Sequence, residues 1–349
     1  MVNNYLFSVI LGLYNSQKFF SKGLRDLLSQ TFKDFEIILV DDGSTDSTPR
    51  LCDEIAEAYP HIRVIHQENR GLGGARNTGI ERASGEYLCF FDIDDKVEDK
   101  WLSNIYQEIK ETKPDLLIYG YREINIKYKS ENIFRFERKL LKEKSVFVRE
   151  FVEILSGIRF NNGFPWNKVY KRDFILRNEL RFPDNRIQQD EIFNHRVYLK
   201  HPVILISDQV LYNYYVYDKG INRKRFIPGR LGIFENVKES FIEIKNHFEI
   251  DDKNLDEYIH HRFLSNVLFN RNTMKGYKER RDFLMEVLSN TEVGNSAGFI
   301  KMNKLKGKGV HGFFFNLYCM GIRKRSLPLL VMADYLYSGL KKTADLILK

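Results

Sequence analysis

The sequence contains little cysteine and no long apolar run. Its 349 residues include three cysteines, Cys52, Cys89 and Cys319, without the spacing of a metal site. This usage predicts reduced thiols in a cytoplasmic protein. No run reaches the roughly 18–20 apolar residues of a membrane span. The chain starts almost directly with a strand pattern and shows no signal-peptide pattern, so we expect a protein that stays in the cytoplasm.

Repeats, low-complexity tracts and long linkers rich in proline, glycine or serine are also absent. The apolar content of 43% excludes global disorder, and the length suffices for one α/β domain with an appended module. No known nucleic-acid-binding motif occurs, and no extended basic track lies outside the C-terminal segment. We therefore predict no nucleic-acid partner.

The excess of positive charge lies in residues 301–349. This segment has ten basic and two acidic residues, which accounts for the whole net charge of +8; the other 300 residues carry 45 of each sign. Aromatic residues are interleaved with the basic ones, and polar residues recur at helical spacing from Leu329 onward. Such a segment predicts a helix at an anionic membrane surface. The alternative is a helix that covers the preceding domain.

Strand and helix patterns alternate along the first 120 residues. Short apolar runs rich in β-branched or aromatic residues occur at 8–11, 35–40, 62–65 and 87–91, and helical patterns occur at 16–30 and 48–59. This alternation predicts a parallel sheet that is covered by helices on both faces. Residues 230–300 also have a helical pattern, and we expect a helical module that continues into the basic tail.

Carboxylates follow two of these strands. Asp41 and Asp42 end the second run, and Asp92, Asp94 and Asp95 follow the fourth. Right-handed crossovers bring both strand ends to the same edge of the sheet, where open α/β folds bind ligands. Acids this close repel one another unless a cation or protons compensate them, and hard oxygen ligands favour Mg²⁺ or Mn²⁺. The alternative is a solvated acidic helix cap.

Five segments, in this order and at matching spacing, resemble the motifs of inverting GT-A glycosyltransferases of family two, a group that builds bacterial surface polysaccharides. They read SVILGLYN at 8–15, LSQTF at 28–32, VDDGSTD at 40–46, NRGLGGARNTG at 69–79 and SGEY at 84–87, which leads into DIDD at 92–95. Thinner matches follow in WNKVY at 166–170 and QDEIFN at 189–194. The last hundred or so residues match no pattern that we can name.

The resemblance implies an α/β fold of the GT-A type, in which a Rossmann-like, mostly parallel sheet binds a nucleotide-diphospho-sugar, followed by a mainly helical C-terminal module. We expect residues 1–120 to bind the donor, residues 121–228 to bind the acceptor and supply the catalytic base, and residues 229–349 to form the helical module with the basic tail.

The implied reaction is metal-dependent transfer from a UDP-sugar to a hydroxyl of a polysaccharide or lipid-linked glycan, with the enzyme in the cytoplasm or at the inner face of the cell membrane. A sugar-nucleotide-binding protein without turnover is the alternative. An oxidoreductase is disfavoured because residues 12–15 lack a dinucleotide fingerprint. The sequence makes no prediction of oligomeric state.

The resemblance also implies which residues form the donor site. They are Leu13, Tyr14, Asp42, Arg76, Asn77, Asp92, Ile93 and Asp94. The ring of Tyr14 can stack on a nucleobase, and Asp42 can accept the imide N–H of uracil, although Asp–Asp–Gly–Ser is also good turn chemistry. Arg76 is expected to point to the nucleotide or its phosphates, or else to pair with Asp42 or the Asp92 cluster. Mn²⁺ or Mg²⁺ is expected on Asp94 and Asp95, with the main ligand left open.

An inverting transfer needs a base opposite the leaving group. Asp190 matches the aspartate of the E-D-x-x-F-N pattern of the family, but Gln189 stands where the family has glutamate, so Glu191 stays the alternative. Trp166, Asn167 and Lys168 are expected to contact the acceptor, with core packing as the alternative for the indole. Arg223 and Lys224, in a basic loop, are expected to contact the diphosphate.

Overall fold

The computed structural model describes residues 5–143, 148, 163–184, 187–217, 229–269, 277–299 and 309–347. Arg223 and Lys224 lie outside these described residues, so their predicted role stays a prediction. The chain divides into two compact units. The first comprises residues 1–220 and 243–250, and the second comprises residues 221–242 and 251–349.

The first unit contains a mixed sheet flanked by helices. The strands are β1 Phe7–Leu13, β2 Phe35–Asp42, β3 Ile62–Gln67, β4 Tyr87–Phe90, β5 Leu116–Asn125, β6 Ser130–Phe134, β7 Lys139–Leu141, β8 Lys168–Lys171 and β9 Ile204–Val216. The helices before residue 200 are α1 Gln17–Leu28, α2 Thr48–Ala58, α3 Gly71–Arg82, α4 Trp101–Ile109, α5 Arg172–Arg177 and α6 Gln189–Tyr198.

The sheet has the strand order β3-β2-β1-β4-β8-β5-β9-β7, with β6 paired to β5. Strands β1 to β4 are parallel to their neighbours among themselves, whereas β8 runs antiparallel to both β4 and β5. The chain order therefore reverses at β1, between β2 and β4. In doubly wound folds such a switch point opens a crevice at the carboxyl ends of the strands. The predicted mostly parallel α/β fold is confirmed.

Helix α3 packs closely on β1, directly behind this crevice. Every residue of β2 is buried, as is typical of a parallel strand with both faces covered. A Cβ atom added to Gly79 of α3 would lie 2.3 Å from Cγ2 of Ile10 in β1. Only glycine allows this approach, and the approach places the residues of α3 beside the ends of β1 and β2.

The C-terminal region is helical, as predicted. Its helices are α7 Arg230–His247, α8 Lys253–Phe269, α9 Tyr277–Ser289, α10 Thr291–Phe299, α11 Gly309–Arg323 and α12 Leu327–Ile347. Within the second unit, the buried Lys238 donates to Glu292 Oε2 at 2.6 Å and to Ser296 Oγ at 3.1 Å, which ties α7 to α10. None of the described helices combines the length and the apolar character that crossing a membrane requires.

The contact between α3 and β1 gives a first testable prediction. Gly79→Ala should lower the free energy of unfolding by about 1–3 kcal/mol, because the added methyl group has to push Ile10 or α3 out of place. Urea unfolding of the variant and the native protein measures the difference.

Gly294 is the matched control, because it is also helical but exposed, with no atom within 4 Å of an added Cβ. Gly294→Ala should be neutral or should stabilise by up to about 1 kcal/mol. Equal effects of the two substitutions would show that the close approach at Gly79 does not matter.

Candidate active site

Most of the predicted site residues lie at the edge of the sheet where β1, β2 and β4 end. Strand β1 ends at Leu13 and is followed by Tyr14, β2 ends at Asp42, and Asp92 follows shortly after β4. Helix α3 carries Arg76 beside these strand ends. The structure therefore brings the two acidic strand ends together, as the parallel connections predict.

Asp42 is held by the loop after β3. Its Oδ1 atom accepts hydrogen bonds from Gln67 Nε2 at 2.7 Å and from the backbone N–H of Arg70 at 2.8 Å. Gln67 is itself fixed by Thr78, whose hydroxyl donates to Oε1 at 2.6 Å. Because both bonds to the Asp42 carboxylate use the same oxygen, its Oδ2 atom keeps the capacity to accept from a further donor.

Tyr14 lies in the loop beyond β1, and 41% of its surface is exposed. The next residue, Asn15, has a φ of 50° and accepts the backbone N–H of Thr45 at 2.8 Å, which ties the loops after β1 and β2 together. Leu13 and Ile93 are buried, so their side chains belong to the core beneath the site. The side chain of Tyr14 is therefore accessible to solvent, in a loop that is tied to the loop after β2.

Asp41 braces the same loop from beneath. Its Oδ1 atom accepts the backbone N–H of Ser44 at 3.2 Å, and its Oδ2 atom lies 2.9 Å from Nδ1 of His66. The other ring nitrogen of His66 lies 3.0 Å from Oδ1 of Asp53. These two carboxylates raise the pKa of His66 above its usual 6.5. The imidazole thus ties β2, β3 and α2 together.

Arg76 is the buried cation of the site. It is 2% exposed, and its guanidinium donates to Asp190 Oδ1 at 2.5 Å and to Asp92 Oδ1 at 3.0 Å. The rings of Phe90 and Phe182 lie within 6 Å of the guanidinium carbon. The pairing with the Asp92 cluster was one of the expected alternatives, whereas the contact with Asp190 was not expected.

Asp95 has a structural role in the site. Its carboxylate is buried and accepts the hydroxyl of Tyr212 at 3.0 Å and the backbone N–H of Tyr215 at 2.8 Å. Burial, reinforced by Asp92 and Asp94, raises the pKa of Asp95 well above its usual value. Both carboxylate oxygens already have partners within the protein, so the arrangement disfavours Asp95 as the main metal ligand.

Asp94 is the more open carboxylate of the pair. Burial and the neighbouring Asp92 raise its pKa to about 6, so a nearby cation would stabilise its ionised form. No group of three His, Cys, Asp or Glu side chains in the described part of the chain is arranged to hold a metal ion by itself. Mg²⁺ is usually held by one or two carboxylates together with phosphate oxygens. Asp92 and Asp94 are therefore the candidate carboxylates for such a cation.

Asp190 lies in the first turn of α6. Its hydrogen bond from Arg76 connects its carboxylate to the edge of the sheet where β1, β2 and β4 end. Its side chain is 24% exposed, whereas that of Glu191 is buried. Burial raises the pKa of Asp190 to about 6; Asp92 adds to the rise, and Arg76 and Lys168 oppose it. A partly exposed carboxylate with this pKa can take up a proton near neutral pH. Of the two candidates for the base, the geometry favours Asp190.

Trp166 is a core residue and not an open platform. It is 1% exposed, and its ring stacks on Tyr212 at 4.6 Å, on Phe164 at 4.5 Å and on Tyr214 at 5.2 Å between centroids. An indole that is covered in this way has no face for a sugar. The expected acceptor contact is therefore wrong for this side chain, and the packing alternative holds.

Asn167 and Lys168 are equally buried, which also corrects their expected contact with an acceptor. The Lys168 ammonium donates to the carbonyl of Phe164 at 2.6 Å and to Asn167 Oδ1 at 2.9 Å. Burial lowers the pKa of Lys168 to about 7, while Asp190 and Glu191 oppose this shift. The side chain braces its own loop and adds positive potential behind the candidate base.

One contributor to the site, Tyr212, was missed by reading the sequence, and one predicted residue, Asn77, has different partners from those expected. Tyr212 donates to Asp95 and accepts the backbone N–H of Asp92, although it lies 117 residues after Asp95. Asn77, expected at the donor, instead exchanges two hydrogen bonds with the backbone of Phe182. The tyrosine-rich YNYY segment at 212–215 was the only signal for Tyr212, and no local signal marked the pairing of Asn77 with Phe182.

Comparison with known proteins shows which family this chain resembles. A sequence model described as glycosyl transferase family 2 matches residues 8–173. Glycosyltransferase GlyG of Streptococcus pneumoniae is 33% identical over 63% of this chain and 74% of its own length. The putative glycosyltransferase EpsH of Bacillus subtilis is 29% identical over 95% of both chains. By contrast, this chain spans only 31% of the length of S. pneumoniae GlyA, at 32% identity.

A solved structure has the same fold. The crystal structure of S. aureus TarS 1–349 in complex with UDP-GlcNAc matches with a TM-score of 0.66, covering 95% of this chain and 91% of that one. The sequence identity is 20%, so the likeness is one of fold. It supports the GT-A architecture for the chain.

The His66 contacts predict how stability changes with pH. The stabilisation from the protonated ring is fully present below the unfolded-state pKa of about 6.5, and it is lost as the pH rises through the higher folded-state pKa. His66→Gln should therefore lower the melting temperature more at about pH 5.5 than at about pH 9. Thermal unfolding of both proteins at the two pH values measures this.

His61→Gln is the matched control. Burial lowers the pKa of His61, so the neutral ring is the favoured form and the deficit caused by this substitution should not shrink as the pH rises. A His66→Gln deficit that is as large at high pH as at low pH would contradict the proposed role of the charged ring.

Proposed function

Because the chain belongs to glycosyltransferase family 2, we propose that it transfers a sugar from a UDP-sugar, with inversion, to a hydroxyl of a polysaccharide or lipid-linked glycan in bacterial surface-glycan synthesis. One observation carries this proposal most directly. Arg76 joins Asp92, at the donor end of the sheet, to Asp190, the candidate base, so that both halves of a transfer reaction meet at one edge.

The donor half of the proposal rests on Asp42 and Tyr14. The Oδ2 atom of Asp42 can accept the imide N–H of uracil while Oδ1 stays bonded to Gln67 and Arg70. The exposed ring of Tyr14 can stack on the base from the neighbouring loop. The fold is also that of TarS, which has been crystallised with UDP-GlcNAc. The donor is therefore proposed to be a uridine nucleotide.

Mn²⁺ or Mg²⁺ is proposed as the cofactor, held by Asp92 and Asp94. A divalent cation there would neutralise negative charge that develops on the departing nucleoside diphosphate. Asp95 and Tyr212 hold the turn that carries these two carboxylates, since the Tyr212 hydroxyl contacts both the Asp95 side chain and the Asp92 backbone.

Asp190 is proposed to act as the general base. Its ionised carboxylate accepts the proton of the acceptor hydroxyl while that oxygen forms a bond to the anomeric carbon. The bond from this carbon to the diphosphate oxygen breaks on the opposite face, and UDP takes the electron pair, which inverts the anomeric centre. With a pKa of about 6, Asp190 is mostly ionised at neutral pH, so transfer should decline as the pH falls below about 6.

The test is transfer and donor hydrolysis with a panel of UDP-, GDP- and CDP-sugars, with Mn²⁺ or Mg²⁺ and with excess chelator. Asp190→Asn should reduce turnover by about 10²–10⁴-fold and leave UDP binding nearly unchanged, because the base acts only in the chemical step. Asp173→Asn is the matched control, since Asp173 also lies in the first turn of a helix but is exposed.

Several outcomes would contradict parts of this proposal. Full activity in excess chelator would contradict the proposed metal requirement. A response to GDP- or CDP-sugars alone would contradict the proposed uridine donor. Binding of UDP without turnover by the native protein would indicate a sugar-nucleotide-binding protein. If Glu191→Gln inactivates and Asp190→Asn does not, the base is Glu191.

We also propose that the enzyme acts in the cytoplasm, at the inner face of the cell membrane, through its C-terminal helices. Met332, Tyr335 and Leu336 form an exposed apolar strip on α12, and Tyr335 is 80% exposed. Lys324 and Arg325, in the turn before α12, are exposed as well. Apolar and basic groups side by side fit an anionic lipid surface, where each basic residue contributes about 1 kcal/mol.

Vesicle sedimentation tests this surface. The full chain should bind vesicles that contain phosphatidylglycerol more strongly than phosphatidylcholine vesicles, and about 1 M salt should release it because the Debye length falls to about 3 Å. The double variant Tyr335→Ser, Leu336→Ser should lose most of the binding, because it removes apolar area from the strip.

Tyr128→Ser with Ile133→Ser is the matched control, since both residues are exposed on the first unit. Equal binding to both vesicle types, or equal loss in both double variants, would rule the membrane surface out. A lower melting temperature caused by the α12 variant alone would indicate that the strip is covered by protein.

A further inference from the structure

The guanidinium of Arg76 is shared between two carboxylates on distant parts of the chain. One N–H group donates to Asp92, which follows β4, and another donates to Asp190, which lies 114 residues further along than Arg76. The guanidinium is buried, while Asp92 and Asp190 are 30% and 24% exposed. Each carboxylate thus meets the arginine on its covered side and is partly open to solvent elsewhere.

The position of the guanidinium is set by packing as well as by charge. The rings of Phe90 and Phe182 lie 5.9 and 5.5 Å from its carbon atom. A buried cation is stable only when it is paired, and the planar fork of arginine can hold two carboxylates at a fixed separation. The lysine ammonium lacks this fork and presents a compact charge.

The residue after Arg76 holds the segment that leads to the base. Asn77 Nδ2 donates to the carbonyl of Phe182 at 2.9 Å, and the Phe182 N–H donates back to Asn77 Oδ1 at 2.8 Å. Arg76 and Asn77, which are consecutive in α3, therefore bind Asp190 and the backbone of Phe182, respectively. Because α3 also packs tightly on β1, this pair connects α6 to the donor edge of the sheet.

Lys168, the other buried cation near Asp190, is engaged elsewhere. Its ammonium donates to Phe164 and Asn167 in its own loop, and it influences Asp190 only through the field of its charge. Among the described residues, Arg76 is the cation whose N–H groups reach the Asp190 carboxylate.

We propose that Arg76 is the positioning residue of the transfer reaction: it holds Asp190 at a fixed place relative to Asp92, and so sets the base against the donor. The proposal rests on the proposed function and adds to it a role for Arg76 that acts through the base. Arg76 then influences turnover because it places Asp190, in addition to any effect of its Asp92 contact on donor binding.

A double-mutant cycle on kcat separates this role from donor binding alone. Arg76→Lys keeps the charge but loses the fork, and it should lower kcat by roughly ten- to a hundredfold, part of the 10²–10⁴ that a general base supplies. In an Asp190→Asn background the same substitution should change kcat less than twofold, since residues that act as a unit are not additive. UDP affinity, measured by titration calorimetry, should change only because the Asp92 contact changes. Arg76→Lys should therefore have the same effect on UDP affinity in both backgrounds.

A second measurement does not depend on turnover. Hydrogen exchange of the backbone amides at 187–198 should become faster in Arg76→Lys than in the native protein, because the first turn of α6 loses its tie to α3. The control is Arg63→Lys, since Arg63 also bonds a carboxylate and a carbonyl, those of Glu36 and Arg82, away from this edge. It should change neither kcat nor exchange at 187–198.

The outcomes separate this proposal from the proposed function. The positioning role would be overturned if Arg76→Lys lowered kcat by the same factor in the native and the Asp190→Asn backgrounds. Unchanged exchange at 187–198 in Arg76→Lys would overturn it as well. If the native protein transfers no sugar from any donor, the proposed function fails; the exchange experiment then still decides whether Arg76 holds Asp190.

Discussion

The site depends on a buried guanidinium, that of Arg76, which is shared between two of several carboxylates. Burial raises the pKa of Asp94, Asp95 and Asp190, because each loses solvation at the edge of the sheet. Arg76 pairs with Asp92 and Asp190 and offsets part of this cost. Its single charge does not balance the whole cluster, which leaves the edge receptive to a further cation. This charge distribution supports the proposal that a metal-bound diphosphate binds at this edge.

The aromatic core extends directly into the frame of this site. Tyr212 stacks on the buried Trp166, and its hydroxyl holds Asp95 and the turn at Asp92. A rigid ring stack fixes the hydroxyl more firmly than a solvated side chain could, because its rotamers are limited by packing. Trp166 thus supports the site from the core, although its own side chain is buried.

The two compact units have different proposed functions. The site residues that the structure describes lie in the first unit, where the strand ends determine their positions. The second unit has an exposed apolar strip on α12, and Asp334 on the same helix is instead buried, 3.5 Å from the hydroxyl of Tyr318. Because this acid is buried, the exposed positions described on α12 are apolar, and basic residues lie in the preceding turn.

The sequence by itself determined the class of fold and the acidic edge. Alternating strand and helix patterns require parallel strands, and parallel strands place Asp42 and Asp92 at one edge whatever the details of packing. Strand periodicity and motif spacing are local properties, and for that reason they could be read without coordinates. The resemblance to a short family motif also proposed Asp190 as the base, with Glu191 as the alternative.

Only the tertiary structure decided how these residues are used. The burial of Trp166 depends on Tyr212 and Tyr214, which come from a strand some 46 residues later, and composition cannot predict that stacking. The proposal of Asp94 rather than Asp95 as a metal ligand rests on the two hydrogen bonds that Asp95 accepts. The bridge from Arg76 to Asp190 spans 114 residues, and no local pattern records it. Contacts at such separations arise from how the elements pack, because packing brings together side chains that the chain order keeps apart.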